Sequence, residues 1–303
     1  MVFLLILDTM KKAFYIVALL LISAFAHSGL YGVSVLLEGI TIGDTRYDVK
    51  KLFDGNDDDL CWAFSVSNAI KYWQETKSSQ GVEIPAGTPL GRPTETYSSD
   101  IAKTFVDNWI NDGGEECNGF DWWFSGNIPM PDDSGNITEN ASGLKPGATG
   151  GGYWLGTRYA EGTVSVEIDF SGVETDYDLL ADVVDSAVDN GCSLTCGIYN
   201  DDGGAHAITL WGYEFDDSTS EISGLWICDS DNDFLGNFMV DLAWDEDNSI
   251  WRLGESSTDS DYTGWYLGDI SVLTAGVAVP ESSTYAVFLG MFALVFALLR
   301  NRK

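Results

Sequence analysis

Apolar residues recur at helical spacing from residue 61 to about residue 77. Trp62, Val66, Ala69, Ile70 and Trp73 share one face, which predicts an amphipathic helix with that face buried. Upstream, 31–42 alternates loosely, as an early strand does, and 49–53 leads into the acidic stretch Asp57-Asp58-Asp59. Downstream, 78–96 is rich in Ser, Gly, Pro and Thr and reads as loop. Ser98-Ser99-Asp100 caps a second helix to about 110, with Ile101, Phe105 and Trp109 on one face. Residues 113–152 are rich in Gly, Asn and Asp around Phe120, Trp122, Trp123 and Phe124. This long irregular stretch is a candidate substrate-facing loop whose aromatics read more readily as local core. Val164, Val166 and Ile168 alternate as in a half-buried strand over 163–170. A third helix is expected over 176–190, stopped by Gly191. Strands follow at 193–199, 206–215, 222–228, 238–244 and 265–272. Helices first and strands afterwards, without internal repeats, predict an α+β fold whose mostly antiparallel sheet packs against the helix beginning at Cys61.

That pattern puts Cys61 at or next to a helix start. The unpartnered N–H groups and the positive end of the dipole there favour a thiolate. His206 is the sole histidine between residues 28 and 275, and it stands where the Asn200-Asp201-Asp202-Gly203-Gly204 loop enters a strand. The next strand ends at Asp229-Ser230-Asp231. Antiparallel neighbours place the start of one beside the end of the next, so His206 and Asp229 are expected to be adjacent. A carboxylate there fixes the imidazole tautomer and stabilises its charged form. The run Asp229-Ser230-Asp231-Asn232-Asp233 also opens like an EF-hand loop, but Phe234 and Val240 stand where glycine and a bidentate glutamate are needed. No motif calls for a cofactor.

Composition narrows the setting. Across 303 residues, 47 acids stand against 15 bases, a formal charge of −32, which argues against nucleic acid as a partner. Lys11 and Lys12 precede an apolar run over 13–26 that ends in Ala24-Phe25-Ala26. This reads as a secretory signal over 1–27, with Met10 as the natural start. A second apolar run, 284–299, precedes Arg300-Asn301-Arg302-Lys303, so positive charges would hold it in a membrane with the main domain, 28–275, outside. Five cysteines (Cys61, Cys117, Cys192, Cys196 and Cys228) leave at least one thiol unpaired in an exported protein. Cys192 and Cys196, expected on one strand, are too far apart to bridge. No Cys-x-x-Cys pair suggests structural zinc.

Two resemblances attach to these residues. The box Val279-Pro280-Glu281-Ser282-Ser283-Thr284, followed by the apolar run and basic tail, resembles the PEP-CTERM sorting signal of Gram-negative bacteria, with Ser282 in place of its second proline. It implies, over 279–303, recognition by an exosortase-type membrane enzyme, transient anchoring through the C-terminal helix, and a final place in the cell envelope, surface or extracellular matrix. Cys61-Trp62-Ala63-Phe64-Ser65 resembles the nucleophile segment of papain-like peptidases. The stretch from Tyr47 to Cys61, the block His206-Ala207-Ile208-Thr209-Leu210-Trp211-Gly212, and Asp229-Ser230-Asp231 together resemble the IdeS/Mac cysteine peptidases; residues 86–162 match nothing in that family. The resemblance implies a papain-like fold and an endopeptidase acting on a protein substrate. Cys61 would be nucleophile, His206 base and acid, and Asp229 the orienting group. Lys51 would serve the oxyanion hole, and Asp231 would support the site by holding Lys51. The competing expectations are an inactive adhesion or matrix-binding domain on the same fold, and an acyltransferase using the same three groups.

Overall fold

The computed structural model describes residues 33–276, apart from 127–129, 132–136, 139–142, 171–177, 217–218, 220 and 255–260. The signal and sorting segments expected at the two ends lie outside these residues. No described helix is long and apolar enough to cross a membrane.

The described chain builds four α-helices: α1 (Cys61–Ser79), α2 (Asp100–Asn108), α3 (Glu116–Ser125) and α4 (Leu179–Asn190). Its main sheet has eight strands: β1 (Val33–Leu36), β2 (Ser165–Asp169), β3 (Ser193–Asn200), β4 (Ala205–Phe215), β5 (Ile222–Cys228), β6 (Phe238–Asp245), β7 (Ile250–Leu253) and β8 (Trp265–Leu273). From β3 to β8 each strand pairs antiparallel with its successor, and β8 returns to pair with β3 over almost its whole length. Six antiparallel strands therefore close into a barrel. β1 adds to β4, and β2 adds to β8, outside the ring.

This corrects the fold expected from sequence. The papain-like α+β arrangement, a nucleophile helix lying on a mostly antiparallel sheet, is overturned by the closure of the sheet into a six-stranded barrel. Alternation along a strand fixes which face is buried but not which edge it meets. The closing pair, Leu194 opposite Val272 and Cys196 opposite Ile270, joins strands with the whole meander between them. Some elements were also missed. The stretch read as irregular contains α3, whose Phe120, Trp122, Trp123 and Phe124 are buried. The four-residue β7 is too short to show a period.

The strands' faces serve two cores. Ile198, Ile208, Leu210, Leu225, Ile227 and Leu267 belong to one cluster. The other gathers Trp62, Val66, Ile70 and Trp73 of α1 with α2, α3, Ala207 and Leu273. β4 alternates between them. Ala207 joins the helical core, and Thr209 accepts a hydrogen bond from Asn68 Nδ2 at 3.1 Å, while Ile208 and Leu210 join the first cluster. Asn68 Oδ1 also accepts from the Val49 amide, so one side chain of α1 ties the helix to β4 and to the segment before the acidic loop. Beyond Thr209, a β-bulge at Trp211 brings Gly212 against β1, where an added Cβ would stand 1.9 Å from the Val35 carbonyl oxygen. The far end of α1 is held by Trp73, which is fully buried edge-on against Phe124, Trp154 and Tyr159 and donates through Nε1 to the Ala275 carbonyl.

Trp73→Ala empties this site and orphans the Ala275 carbonyl, for an expected loss of about 3–5 kcal/mol. Urea denaturation followed by far-ultraviolet dichroism measures it. A loss below about 1 kcal/mol would mean that α1 is not anchored through Trp73.

Candidate active site

Cys61 is the first residue of α1. Leu60 before it supplies no side-chain cap, so the helix start presents backbone N–H groups beside the sulfur. Packing of α1 on β4 sets Cys61 against the beginning of that strand. The Cys61 sulfur lies near the His206 side chain and the backbone at Ala207, both of which act on its titration. His206 is the second residue of β4, reached through a tight turn in which the Asn200 amide bonds the Gly204 carbonyl and Gly203 takes a positive φ. The β4–β5 pairing, with Thr209 opposite Cys228, carries Asp229 to the same rim. His206 Nε2 meets Asp229 Oδ1 at 2.8 Å. With Nε2 engaged there, Nδ1 is the nitrogen left to face the thiol.

The electrostatics follow from this chain of contacts. Burial alone would raise the Cys61 thiol. The hydrogen bond and charge of His206, the backbone at Ala207 and the charge of Lys51 outweigh it and hold the thiol below its ordinary value. Burial disfavours the charged imidazole too, but its bonds to Asp229 and Cys61 and their charges raise His206 to about 10. Burial also acts against the Asp229 carboxylate. There it is overcome by His206, by the Tyr262 hydroxyl donating to Oδ2 and by the Asp231 amide donating to Oδ1. Each shift favours the charged form, so thiolate, imidazolium and carboxylate support one another in series.

Lys51 and Asp231 also come to this place. The Lys51 ammonium is buried, 2.7 Å from Asp231 Oδ2, and donates to the Asp58 carbonyl at 2.6 Å. Asp231 Oδ2 is 3.9 Å from His206 Nδ1. Asp231 thus holds Lys51, and one of the three ammonium N–H groups remains for another acceptor. His206, Asp229 and Asp231 bring atoms within 4.8 Å of one another, as a metal site would. The Lys51 cation on Asp231 and the mutual bond of His206 and Asp229 already use that charge. The oxygens of the EF-hand-like run are similarly engaged: Asn232 Oδ1 accepts from Lys50 Nζ and from the Phe234 amide.

The structure adds residues that the sequence reading did not single out. Tyr262 bonds Asp229 from beyond β7, and no motif marks it. Lys50 Nζ ties the Asp229 carbonyl to Asp48. Asp57, which the sequence shows only as part of an acidic stretch, is fully buried, and its carboxylate accepts from the Leu52 and Phe53 amides, which shapes the turn that carries Lys51. Its position four residues before Cys61 was the available signal. All five cysteines are free thiols. A cleft of about 720 Å³ opens beside the site, lined among others by His206, Asp231, Asp233, Phe234, Tyr262 and Trp265. The arrangement can form a nucleophilic thiolate, hold an imidazolium ready to give up its proton, and point amide and ammonium donors at developing negative charge.

No family model matches the chain, and neither does any curated protein. A solved structure, that of SERA5E from Plasmodium falciparum, is similar over 75% of this chain and 89% of its own, at 13% identity and a TM-score of 0.39.

The coupled pair makes a sign-specific prediction for stability. Raising His206 adds proton binding to the folded state, while lowering Cys61 takes it away, so the two contributions to the pH slope oppose one another. In Cys61→Ser the imidazole keeps Asp229 and stands uncompensated. Its stabilisation, complete below the unfolded histidine value near 6.5, is then lost as pH rises, by up to about 1.4 kcal/mol per pH unit at first. Urea melts of parent and variant from pH 6 to 9 check this. Parallel curves would contradict the pairing.

Proposed function

We propose that this chain is a cysteine endopeptidase, exported and displayed at the cell surface or in its matrix. The observation that carries the reading is the contact series Cys61–His206–Asp229, at the rim of the barrel beside an open cleft. Its supports are chemical. The Cys61 thiolate attacks a peptide carbonyl; a C–S bond forms, and the carbonyl electron pair moves to oxygen. Donors for that oxyanion are the Cys61 backbone N–H at the start of α1 and the remaining N–H of Lys51, which Asp231 keeps in place. His206 passes its proton to the leaving amine as the C–N bond breaks. Water then enters and gives His206 a proton as it attacks the thioester. The acid product leaves, and the thiolate is restored. Asp229 keeps the imidazole in register and stabilises its charged form throughout. The resemblance of these segments to the IdeS/Mac peptidases agrees with this assignment of roles. Export and sorting rest on the two terminal segments.

Incubation of the full chain with an unfolded, reduced protein such as casein should generate new α-amino termini near neutral pH. Cys61→Ala should abolish this, and His206→Ala should lower kcat by about 10²–10⁴-fold. Cleavage that survives Cys61→Ala would overturn the mechanism. Transfer of added amines instead of water would assign the site to acyl transfer. No turnover by the parent would favour a binding domain.

A further inference from the structure

Resting on the peptidase reading, we infer that the site beside Cys61 contains a pocket for the cationic side chain of a substrate arginine or lysine, built by Glu116 and Asp269 with Glu167 at its edge.

The sheet register places this pocket. Asp169, Asp269, Gly197 and Ala207 stand opposite one another across β2, β8, β3 and β4. Ala207 is the residue whose backbone lies near the Cys61 sulfur. Asp269 therefore lies two strands away on the same row, about 10 Å from Ala207 at ordinary strand spacing. That is within reach of a long side chain on a residue bound next to the scissile bond. Gly197, lacking a side chain, leaves room for the Asp269 carboxyl. A Cβ there would stand 2.4 Å from Asp269 Oδ2, so the half-buried Asp269 carboxyl lies across the glycine. It is fixed there by the Gly197 amide on Oδ1 and by the Tyr199 hydroxyl, which donates to Oδ2 at 3.0 Å.

Glu116 supplies the second, independent observation. It sits on the first turn of α3, which packs over β8 and β2, and it is only 6% exposed. Its Oε1 has no hydrogen-bond partner. The groups whose charges act on it, or on which its charge acts, are Asp269, Cys61 and Glu167, with Tyr199 and Cys196 from β3, and each is neutral or anionic. None of Glu116, Glu167 and Asp269 forms an ion pair with a described lysine or arginine. Burial, and then the Asp269 charge, push Glu116 up to about 8. Asp269 and Glu167 are likewise raised, first by burial and then by acidic neighbours. A buried carboxyl with an unused oxygen, near a second carboxyl laid over a glycine, is stabilised by an incoming cation.

The ligand is an extended organic cation rather than a metal ion. Among the described residues, the acidic atoms that converge closely enough to ligate one ion are those of His206, Asp229 and Asp231, and not these. A guanidinium or ammonium on a flexible stem can lie between two carboxyls that do not converge on a point.

The test uses tripeptidyl chloromethyl ketones that alkylate the Cys61 sulfur with loss of chloride: Ala-Ala-Ala, the three single-arginine versions and the three single-glutamate versions. Labelling of Cys61 in the full chain is followed by peptide mass spectrometry at pH 7 and pH 9. One arginine position should label at least ten-fold faster than alanine, and glutamate at that position should label more slowly. In Glu116→Gln and Asp269→Asn the arginine-to-alanine ratio should fall below three. Glu167→Gln, at an exposed position on β2, carries no folding risk and should lower it by a smaller factor. Equal rates for arginine and alanine, or a preference unchanged in all three variants, would overturn the pocket. At pH 9 an accessible thiol near its usual value of about 8.5 is largely ionised. The preference can therefore be read there even if Cys61 lacks an activating partner, and failure of the peptidase reading appears separately, as absence of labelling at pH 7.

Discussion

The bond between His206 Nε2 and Asp229 Oδ1 is the constraint on which the site depends. It joins the second residue of β4 to the residue that follows β5, and it exists because the antiparallel pairing of those strands brings the two ends together. Once Nε2 is taken, the imidazole can turn only its other nitrogen toward the start of α1. The helix in turn is held on β4 by Asn68 and at its far end by Trp73. Barrel closure, helix packing and proton position are thus one problem. A shift of β5 by one residue would remove Asp229 from the rim and leave a buried imidazole without a counter-charge.

Charge is economised around that bond. A chain with a formal charge of −32 has few cations to use, yet two of them are spent within the site. Lys51 is buried against Asp231, and Lys50 bridges Asp48 and the Asp229 carbonyl. Each is paired with a carboxylate, as buried charges require. The carboxyls on the other side of Cys61 are treated differently. Glu116, Asp269 and Glu167 receive no cation from the described chain and hold their protons more tightly than usual. The contrast separates groups that maintain the site from groups turned toward what enters it.

The site was more legible in the sequence than the fold. Cys61 before an apolar helical stripe, a lone histidine at a strand mouth and an acidic end to the next strand are local patterns, and antiparallel pairing of neighbours brings them together. Barrel closure was not legible, because the β3–β8 contact joins segments on either side of the whole meander, and nothing within either strand names its partner. α3 was hidden by the glycines and acids that flank it, although its aromatics were read as core. Asp57 and Glu116 were lost among many acids. Composition predicts a solvated surface, and only the packing of the segment around Lys51 and of α3 over β8 buries these two.

The central claim is that Cys61 and His206 exist as a thiolate–imidazolium pair. The direct measurement is the rate of iodoacetamide labelling of Cys61 from pH 4 to 10, read by peptide mass spectrometry, in the parent and in His206→Ala. The account predicts labelling of the parent that persists well below the free-thiol value of about 8.5 and collapses at low pH in the variant. An ordinary thiol titration, the same in both proteins, would contradict it and leave a barrel whose cysteine merely packs beside a histidine.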